Sequence, residues 1–408
     1  MIDFEIPEEY KQLGLRYRKF VEDYCVPAEA QVRTRPLKEI LKELHAQAKA
    51  DALWCPHMPE EWGGLGLGPL GMAVVQYELG GSPLGDLAVN TQGSDDATML
   101  TIARYGTQAQ KEKYLIPLVN GDARVCYSMT ERAAGGDATG LQTTAVRDGD
   151  SWVLNGEKWF TSLGNIADFA LVLAKTNPEN PRHEQFSGFL VDLPNPAYEI
   201  VRNIPTMGRD EKHYEEFGGH CEVKIDNLVL PADAILGEPG QGFALGQHRL
   251  GYGRLRHGMR NIGLAQKALD LAVEHATQRV TFGQPVADRQ GIQFMLAECA
   301  AEIYKARLMV LHLAFKMEKG MDLRQENSIA KIFLPHMVHK VVDTALQLHG
   351  ALGYTHDTPI AEWYTGIRAQ RLVDGPDEVH KWRVGRNVVK AFEASGTTAA
   401  ACGGDLFY

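Results

Sequence analysis

Asp374 is the residue whose type and setting most favour chemistry, and it lies in the segment Val373-Asp374-Gly375-Pro376. This segment separates two helical patterns, because glycine is costly inside a helix and proline lacks the N–H donor. Two interpretations are open on the local pattern alone. Asp374 either caps the helix that follows, or it is a catalytic base in a ligand cleft. The elements that must position this carboxylate decide between them.

Composition excludes several classes of protein. The chain has 408 residues, of which 44% are apolar and 23% charged, as in a soluble globular protein with two or three domains. No stretch approaches the roughly 18 uninterrupted apolar residues of a membrane span, so no membrane partner is expected. The acidic start MIDFEIPEEYKQ predicts no exported protein and favours a cytoplasmic location. The net charge of −10 argues against nucleic acid as a partner.

The cysteines and histidines give no sign of a metal site. The six cysteines are scattered, without a CxxC pair, which is typical of reduced thiols in a cytosol-like compartment. HExxH motifs, Cys/His clusters and paired carboxylates at metal-ligand spacing are also missing from the sequence. We therefore expect no metal.

The hydrophobic pattern predicts helices, then strands. Up to about residue 120 apolar residues recur at helical spacing, and Asn120-Gly121 is a normal helix stop. From about residue 123 the period changes to that of strands. The strand signals are a hairpin with Asp148-Gly149 in its turn, an apolar run over 169–174, and alternation at Cys221, Val223 and Ile225. The region 123–238 therefore resembles an antiparallel β domain.

The helical period returns at about residue 240. Three amphipathic stripes predict long helices that pack as a bundle, with further helices from the segment around Asp374. The stripes are Ile262, Ala265, Leu269 and Val273; Ile292, Met295, Leu296, Cys299 and Ile303; and Val338, Val341, Val342, Ala345 and Leu348. The predicted fold class is α+β multidomain: a helical domain over 1–122, a β domain over 123–238, a bundle over 239–394 and a tail over 395–408. This order alone names no reaction.

Five motifs together resemble those of the acyl-CoA dehydrogenase family, in the same order and at similar spacing. The motifs are CYSMTERAAGGDATGLQT (126–143), LNGEKWFTS (154–162), RVTFGQPVADRQ (279–290), QLHGALGY (347–354) and VDGPDEVH (373–380). The combination of GYGRLRHGMR (251–260) with DGPDEVH is most similar to the subgroup with Asp as the base. The resemblance implies the acyl-CoA dehydrogenase fold, in which the middle domain is an antiparallel β-barrel-like structure and the C-terminal domain a four-helix bundle. It also implies a homotetramer, arranged as a dimer of dimers.

The resemblance also implies a reaction. The family removes the α-hydrogen of an acyl-CoA thioester as a proton while the β-hydrogen leaves as hydride to FAD, which gives the trans-2-enoyl-CoA. Asp374 matches the base, and its own N–H would help to polarise the thioester carbonyl. Because a carboxylate is a weak base toward carbon, the site must acidify the α-carbon and desolvate the base. Asp is shorter than Glu by roughly 1.5 Å, so the substrate or backbone must lie closer.

The residues that would hold FAD follow from the same matches. They are Tyr127, Ser128, Met129, Thr130, Gly135, Gly136, Phe160, Thr161, Ser162, Arg279, Thr281, Phe282, Gln290, Gln347, Leu348, His349, Gly350, Ala351 and Gly375. Arg279, Phe282 and Gln290 would reach the FAD of a neighbouring subunit, with the guanidinium at the pyrophosphate. Taken alone, Phe160 also fits a core position, Ser162 a strand end and Arg279 a solvated charge.

Arg254, together with Gly136 and Asp374, is expected at the substrate. Arg254 matches an arginine on the long helix that faces the base, and we expect it to bias Asp374 toward ionisation. His257, between Arg256 and Arg260, fits a structural histidine better than a catalyst. The chain departs from the family at five places, which bear on substrate and phosphate contacts more than on the flavin. These are Arg132 for Pro, Gly136 for Ser, Ala351 for Gly, Pro376 for Thr, and Gly366-Ile367 for an Arg-Asp pair.

Three functions are compatible with these residues. The first is an acyl-CoA dehydrogenase that passes electrons to an electron-transfer flavoprotein. The second is another flavoenzyme on the same scaffold, such as a nitroalkane-oxidase-like enzyme, which also uses Asp, or a flavin monooxygenase, which tends to lack the carboxylate. The third is a module that binds CoA esters or flavin without catalysis. Acyl chain length, branching and pathway are outside what the motifs indicate.

Overall fold

Helices lie before and after a β-rich middle region in the computed structural model, which describes residues 5–403 and only the backbone of Leu250 and Tyr252. This order confirms the predicted fold class. The α-helices are α1 (Glu8–Phe20), α2 (Val26–Glu29), α3 (Leu37–Ala50), α4 (Pro69–Leu79), α5 (Gly85–Ala88), α6 (Gly93–Tyr105), α7 (Gln108–Gln110), α8 (Ile116–Asn120), α9 (Glu211–Phe217), α10 (Gly242–Gln278), α11 (Gln290–Glu318), α12 (Arg324–His349), α13 (Ile360–Ile367) and α14 (Asp377–Ser395).

The strands form a mixed sheet and a separate small hairpin. They are β1 (Val125–Ser128), β2 (Thr144–Asp148), β3 (Ser151–Ser162), β4 (Phe169–Lys175), β5 (Phe186–Asp192), β6 (Tyr198–Asn203), β7 (His220–Pro231), β8 (Ile235–Leu236), β9 (Val280–Thr281) and β10 (Gln284–Pro285). The sheet order is β6-β7-β3-β2-β4-β5-β8, and β1 pairs with β4. The prediction of an antiparallel sheet is wrong in one respect, because β1–β4 and β2–β4 pair in parallel.

The β2–β3 hairpin has the predicted strands and a turn shifted by one residue. Asp148 pairs with Ser151, so Gly149 and Asp150 are the central turn residues instead of Asp148 and Gly149. Gly149 has φ +56°, the left-handed conformation that a primed turn requires at its first central position. The buried strand β4 and the alternating strand β7 are confirmed.

The chain divides into two compact units. The first contains Met1–Glu29, Leu67–Asp86 and Arg254–Tyr408, as far as these are described, and the second contains Ala30–Gly66 and Leu87–Gly253. The first unit therefore holds α1, α4 and the long C-terminal helices, and the second holds the large sheet with α3 and α6 to α9. The first 122 residues are shared between both units, and the boundaries 1–122, 123–238, 239–394 and 395–408 stay predictions. Residues 1–4 and 404–408 of those ranges lie outside the described chain.

The core of the first unit is formed by facing stripes on the long helices. Cys299 and Ile303 on α11 and Val338, Val341, Val342 and Ala345 on α12 are buried, as predicted. On α10 the prediction is wrong for Val273, which is exposed. The buried stripe continues instead through Ala268, Ala272 and Ala276. These positions keep the helical spacing, and their small side chains let a neighbouring helix approach closely.

Candidate active site

The turn that carries Asp374 has a left-handed backbone. It lies between a 3₁₀ turn, Arg368–Arg371, and α14, which begins at Asp377. Asp374 has φ +55° and Gly375 φ +97°. Aspartate tolerates this conformation better than most residues, and glycine adopts it without strain. The residue at the N-cap position of α14 is Pro376, so the interpretation of Asp374 as an N-cap is wrong.

The main-chain carbonyl of Asp374 accepts hydrogen bonds from two side chains. Arg254 on α10 donates from Nε at 3.3 Å and from Nη2 at 3.1 Å, and Nε2 of His380 on α14 lies at 3.2 Å. Burial lowers the pKa of His380 to about 4, so the ring is neutral near pH 7. Since a carbonyl only accepts, Nε2 must carry the ring proton. Arg254, which we expect to bias Asp374 toward ionisation, binds the backbone carbonyl of the same residue.

Lys331 on α12 holds the backbone on both sides of the turn. Its Nζ donates to the carbonyl of Gln370 at 2.7 Å and to that of Gly375 at 3.3 Å. Burial lowers the pKa of Lys331, and the carboxylates of Asp374 and Asp377 partly oppose this effect. Lys331 was missed by sequence reasoning. Lys331 lies seven residues before Val338 and so on the buried face of α12. This position gave only a weak indication of its role, because lysine side chains usually point to solvent.

Asp377 anchors the start of α14. Its Oδ2 accepts from Nε2 of His336 at 2.9 Å and from Nε of Arg371 at 2.8 Å. Burial raises the pKa of Asp377, but hydrogen bonds from Arg371 and His336 outweigh it, and the pKa lies below its usual range. The ionised carboxylate at the N-terminus of α14 also matches the positive end of the helix dipole. The backbone on either side of Asp374 is therefore held by charged side chains.

The Asp374 carboxylate borders a small cavity. Its Oδ2 lies 3.7 Å from Nε2 of His257, and the side chains of Asp374 and His257 are 20% and 22% exposed. The cavity has a volume of about 20 Å³, enough for about one water molecule. It is lined by Arg254, His257, Gly258, Asn261, Asn327, Ala330, Lys331, Leu334, Pro335, Gln370 and Asp374.

In the second unit, two predicted flavin residues use their side chains within the protein. Oγ of Ser128, at the end of β1, lies 2.9 Å from Oγ1 of Thr161 on β3 and also binds the hydroxyl of Tyr198. Ser128 and Thr161 are fully buried. Either residue can contact a cofactor only through its backbone. This hydrogen bond nevertheless brings together the predicted segments Tyr127–Thr130 and Phe160–Ser162.

A fully buried ion pair, missed by sequence reasoning, fixes the end of the first segment. Nζ of Lys158 on β3 donates to Oε1 of Glu131 at 2.9 Å and to the carbonyl of Met129 at 3.0 Å. Glu131 also accepts from the backbone N–H groups of Gln142 and Thr143. Burial lowers the pKa of Lys158 to about 8, and Glu131 opposes the shift. The alternation of β3 could have indicated this burial, because Lys158 is an even number of residues from Trp152 and Leu154 and so points to the same buried face of the sheet.

The neighbouring part of β3 is distorted where the flavin was predicted. The pairing of β3 with β7 shifts between Lys158 and Thr161, and Phe160 inside this bulge has φ +57°. An aromatic residue rarely adopts this conformation, and strained bulges are frequent beside active sites. The Phe160 side chain is 44% exposed, and Oγ of Ser162 lies 2.9 Å from Nδ1 of His220. An exposed aromatic ring beside polar backbone suits a planar ring system.

Other predicted flavin residues lie around that segment. The Tyr127 ring lies 4.1 Å from the Arg249 guanidinium, and burial raises the pKa of Tyr127 to about 12. Thr130 accepts a hydrogen bond at its carbonyl from the N–H of Trp159 at 2.7 Å. Gly135 and Gly136 are exposed, and a Cβ at Gly135 would meet no atom within 4 Å. Gly135 is therefore open to a ligand.

The predicted contacts to a neighbouring subunit's FAD lie on the surface of the first unit. Phe282 and Gly283, with φ +49° and +81°, form the tip of the β9–β10 hairpin, and the Phe282 side chain is 98% exposed. Arg279 precedes this hairpin and Gln290 begins α11, both exposed. The Thr281 carbonyl accepts from Nη2 of Arg289 at 2.6 Å, which fixes the hairpin. An aromatic side chain so exposed on a fixed turn is suited to contact a partner.

The predicted FAD-binding loop from Gln347 to Ala351 begins in the last turn of α12, which ends at His349. Gly350 has φ +59°, and Gln347 and Ala351 are exposed, while Leu348 is half-buried. The His349 ring is buried, stacks on His275 at 4.5 Å between centroids, and binds the Ala345 carbonyl through Nδ1 at 2.7 Å. The His349 side chain is therefore used for contacts inside the protein, and only its backbone is left to contact a ligand.

Two searches of the described residues bear on other functions. Between residues 5 and 403, no three His, Cys, Asp or Glu side chains are grouped so that they could hold a metal ion. Over the same range, no helix combines the length and apolar character needed to cross a membrane.

Comparison with known proteins identifies the family. Family models of the acyl-CoA dehydrogenase N-terminal, middle and C-terminal domains match residues 7–122, 126–227 and 240–389. The probable acyl-CoA dehydrogenase FadE2 of Mycobacterium tuberculosis is 37% identical over 373 residues, covering 90% of this chain and 89% of its own. Acyl-CoA dehydrogenase family member 11 of Gallus gallus is 35% identical over 92% of this chain, which spans only 50% of that longer protein.

A solved structure agrees with the sequence comparisons. A proposed acyl-CoA dehydrogenase of Mycobacterium abscessus superimposes with a TM-score of 0.88 and 35% identity, covering 95% of this chain and 100% of its own. Three matched domains in order, together with relatives above 30% identity along nearly the whole chain, establish the relationship. The chain belongs to the acyl-CoA dehydrogenase family, whose members are oxidoreductases with FAD as cofactor.

Proposed function

We propose that this chain catalyses the α,β-dehydrogenation of an acyl-CoA thioester to the trans-2-enoyl-CoA and passes the electrons to an electron-transfer flavoprotein. One observation carries the proposal. The Asp374 carboxylate is one-fifth exposed on a turn whose backbone is held by Arg254, His380 and Lys331. A base that removes a proton from carbon must be fixed in place, because a misplacement of about 1 Å costs on the order of a hundredfold in rate.

Asp374 takes the α-proton in this proposal. Arg254 and His380 bind its main-chain carbonyl and Lys331 binds that of Gly375, so these three side chains hold the turn through backbone atoms. The backbone N–H of Asp374 is the proposed donor to the thioester oxygen, which stabilises the charge that develops there. Base and donor then belong to one residue. The three side chains Arg254, His380 and Lys331, which we call the clamp on the turn, orient both.

FAD, when bound, supplies the two-electron acceptor for the hydride that leaves the β-carbon. The residues suited to hold it are the backbone of Tyr127–Thr130, the exposed Phe160 ring with Thr161 and Ser162, and the open Gly135. The Lys158–Glu131 pair holds the Met129 carbonyl and so orients the peptide that begins at Thr130. A neutral His220, whose pKa burial lowers, orients Ser162.

The proposed assembly is a homotetramer, a dimer of dimers in which Arg279, Thr281, Phe282, Gln290 and the loop from Gln347 to Ala351 complete the FAD site of a neighbouring subunit. The exposed Phe282 at the tip of a fixed hairpin supports this arrangement. Arg254 and Gly136 are proposed to contact the substrate. A cytoplasmic location and a role in fatty acid β-oxidation are part of the same proposal.

An anaerobic titration tests the reaction. Acyl-CoA esters of graded chain length should bleach the oxidised flavin spectrum of the wild-type protein. Asp374→Asn should retain FAD and lose at least about a hundredfold in the rate of flavin reduction, because the amide cannot accept the proton. Asp357→Asn, an exposed carboxylate elsewhere in the first unit, is the matched control and should behave like wild type. Unchanged reduction in Asp374→Asn contradicts the assignment of the base.

A second candidate, a nitroalkane-oxidase-like reaction, is favoured by one feature. The acid at the base position is Asp, which that class of enzyme also uses. The same titration separates the two functions, because nitroethane would then bleach the flavin and acyl-CoA esters would not. Bleaching by both would indicate a shared base with broader substrate range.

A further inference from the structure

We propose that His257 is a positioning residue for Asp374, whose Nε2–H donates to one carboxylate oxygen and leaves the other oxygen directed to the substrate. The proposal rests on the proposed function of Asp374 as base and specifies how the carboxylate is oriented. No motif in the sequence assigned this role, and the local pattern favoured a structural histidine. The geometry around the imidazole carries the inference.

The two side chains face each other across a shared cavity. Nε2 of His257 lies 3.7 Å from Oδ2 of Asp374, both side chains line the cavity, and both are about one-fifth exposed. The distance exceeds that of a direct hydrogen bond. A carboxylate beside a cavity can rotate to shorten it, and catalytic hydrogen bonds often tighten only when the substrate binds.

The tautomer of His257 follows from its two arginine neighbours. Nη2 of Arg260 lies 3.2 Å from Nδ1, and Nη2 of Arg256 lies 3.1 Å from Nε2. A guanidinium only donates, and a neutral imidazole accepts at one nitrogen. If Nε2 accepted, its lone pair would face the Asp374 carboxylate. If Nδ1 accepts from Arg260, Nε2 carries the proton, and the Arg256 guanidinium, which also only donates, must turn away from Nε2 while keeping Asp86 as its carboxylate partner. The proton on Nε2 then faces the Asp374 carboxylate, an arrangement that electrostatics favours.

A buried carboxylate fixes the arginines. Oδ2 of Asp86 lies 2.6 Å from Nη1 of Arg260 and 3.5 Å from Nη1 of Arg256. Asp86 and Arg256 are both buried. The resulting chain runs from Asp86 through Arg260 and His257 to Asp374. It resembles other sites in which a third group sets the tautomer of a histidine.

The other charged groups near the carboxylate make their hydrogen bonds to the backbone of the turn. Arg254, on the same helix as His257, binds the Asp374 carbonyl. Lys331, from α12, binds the carbonyls of Gln370 and Gly375, and His380, from α14, faces the Asp374 carbonyl. Among the described residues, His257 is the side chain with a nitrogen recorded within 4 Å of an Asp374 carboxylate oxygen, and it is therefore placed to orient the carboxylate itself. This matters more for Asp than for Glu, because the shorter side chain has fewer rotamers with which to place its carboxylate at the substrate.

Three substitutions at His257 separate positioning from packing. His257→Gln carries its amide nitrogen near the position of Nε2 and can still donate to Asp374. His257→Asn carries its amide nitrogen near the position of Nδ1 and cannot reach. His257→Leu removes the donor and keeps much of the volume. The Asn and Gln pair keeps the test valid if the Leu variant fails to fold.

The first measurement needs no turnover. An infrared titration of the FAD-loaded protein follows the Asp374 carboxyl stretch, identified as the signal lost in Asp374→Asn. Loss of a donor to the carboxylate should raise the pKa of Asp374 by about one unit in His257→Asn and His257→Leu, and His257→Gln should stay near wild type. Equal pKa values of Asp374 in wild type and His257→Asn, or equal shifts in Asn and Gln, overturn the proposal.

The second measurement uses the rate of flavin reduction by acyl-CoA against pH. In His257→Asn the acidic limb should move up by the same unit, and the limiting rate should fall roughly ten- to a hundredfold with little change in KM. His257→Gln should recover most of the rate. If no acyl-CoA ester reduces the wild-type flavin, the proposed function fails, while the infrared titration still decides the role of His257.

Discussion

At the scale of single residues, the backbone at Asp374 accounts for part of the choice of acid. Asp374 has φ +55°, a conformation in which Asp and Asn are enriched several-fold over other residues. The shorter side chain is thus compatible with a turn that a longer, more flexible acid would adopt at greater cost. The turn also fixes the position of the Asp374 main chain, and with it the range of positions that the short side chain can reach.

Gly375 is the residue that this turn depends on most. Its φ is +97°, and a Cβ there would lie 2.7 Å from Nε2 of His380. We expect Gly375→Ala to lower the free energy of unfolding by about 1–3 kcal/mol and to slow flavin reduction, because His380 must leave the Asp374 carbonyl. Thermal unfolding and anaerobic reduction measure the two effects.

Gly385→Ala is the matched control for that substitution. Gly385 lies within α14, and a Cβ there would meet no atom within 4 Å. Alanine at a helical position should leave the rate unchanged and keep or raise stability by up to about 1 kcal/mol. A Gly375→Ala protein that unfolds and reacts like Gly385→Ala would contradict the clamp on the turn.

At the scale of elements, strand β3 carries both a distortion and the pair that supports it. The bulge at Phe160 adjoins Lys158, whose ammonium lies fully buried against Glu131. The Glu131 carboxylate accepts from Lys158 and from two backbone N–H groups of the segment that leads into β2. The pair therefore joins three stretches of chain around the predicted flavin segment.

Breaking this pair should be costly and should affect the cofactor. Lys158→Met leaves Glu131 buried without its counter-ion, for which we expect a loss of about 3–5 kcal/mol in the free energy of unfolding, together with weaker FAD retention. Lys158→Met combined with Glu131→Gln removes both charges and should recover much of the stability. Urea unfolding and flavin content after gel filtration test both variants. A single variant as stable as the double variant would show that the charge pair is unimportant.

At the scale of the whole molecule, several large apolar side chains are exposed and support the proposed assembly. Phe282 is 98% exposed, Tyr354 82% and Trp382 64%, all within the first unit. Phe392 and Val389 extend the exposed apolar face of α14 beyond Trp382. Large exposed apolar side chains are typical of interfaces, since water penalises their exposure. This supports the proposed homotetramer with shared FAD sites.

The shared site makes a prediction about Arg279. If the proposal holds, Arg279→Ala removes a charged donor to the pyrophosphate of the partner's cofactor, so FAD should be released on gel filtration while the mass of the assembly is kept. Light scattering gives the mass and the flavin absorbance gives the occupancy. Arg147→Ala, an exposed arginine on β2, is the control and should keep FAD. Full retention in Arg279→Ala would count against a site shared between subunits.

Much of the fold was predictable because its signals are local. The helix stop at Asn120-Gly121, the end of α12 at His349 and the alternation of β7 each depend on residues within a few positions of one another. The stripe on α10 was predicted wrongly at Val273, because the choice between adjacent helical phases depends on what packs against the helix. The parallel pairing of β1 with β4 was missed for the same reason, since it joins strands more than 40 residues apart.

The sequence by itself determined the family, the enzyme class, FAD as cofactor and the position of Asp374, because those depend on residue types in a fixed order along the chain. The arrangement around Asp374 was decided only by the tertiary structure. Arg254 lies 120 positions from the carbonyl it binds, His257 faces Asp374 from another helix, and Lys158 meets Glu131 across 27 residues. Hydrogen bonds and charge pairs act over a few ångströms in space, and distance along the chain carries no record of them.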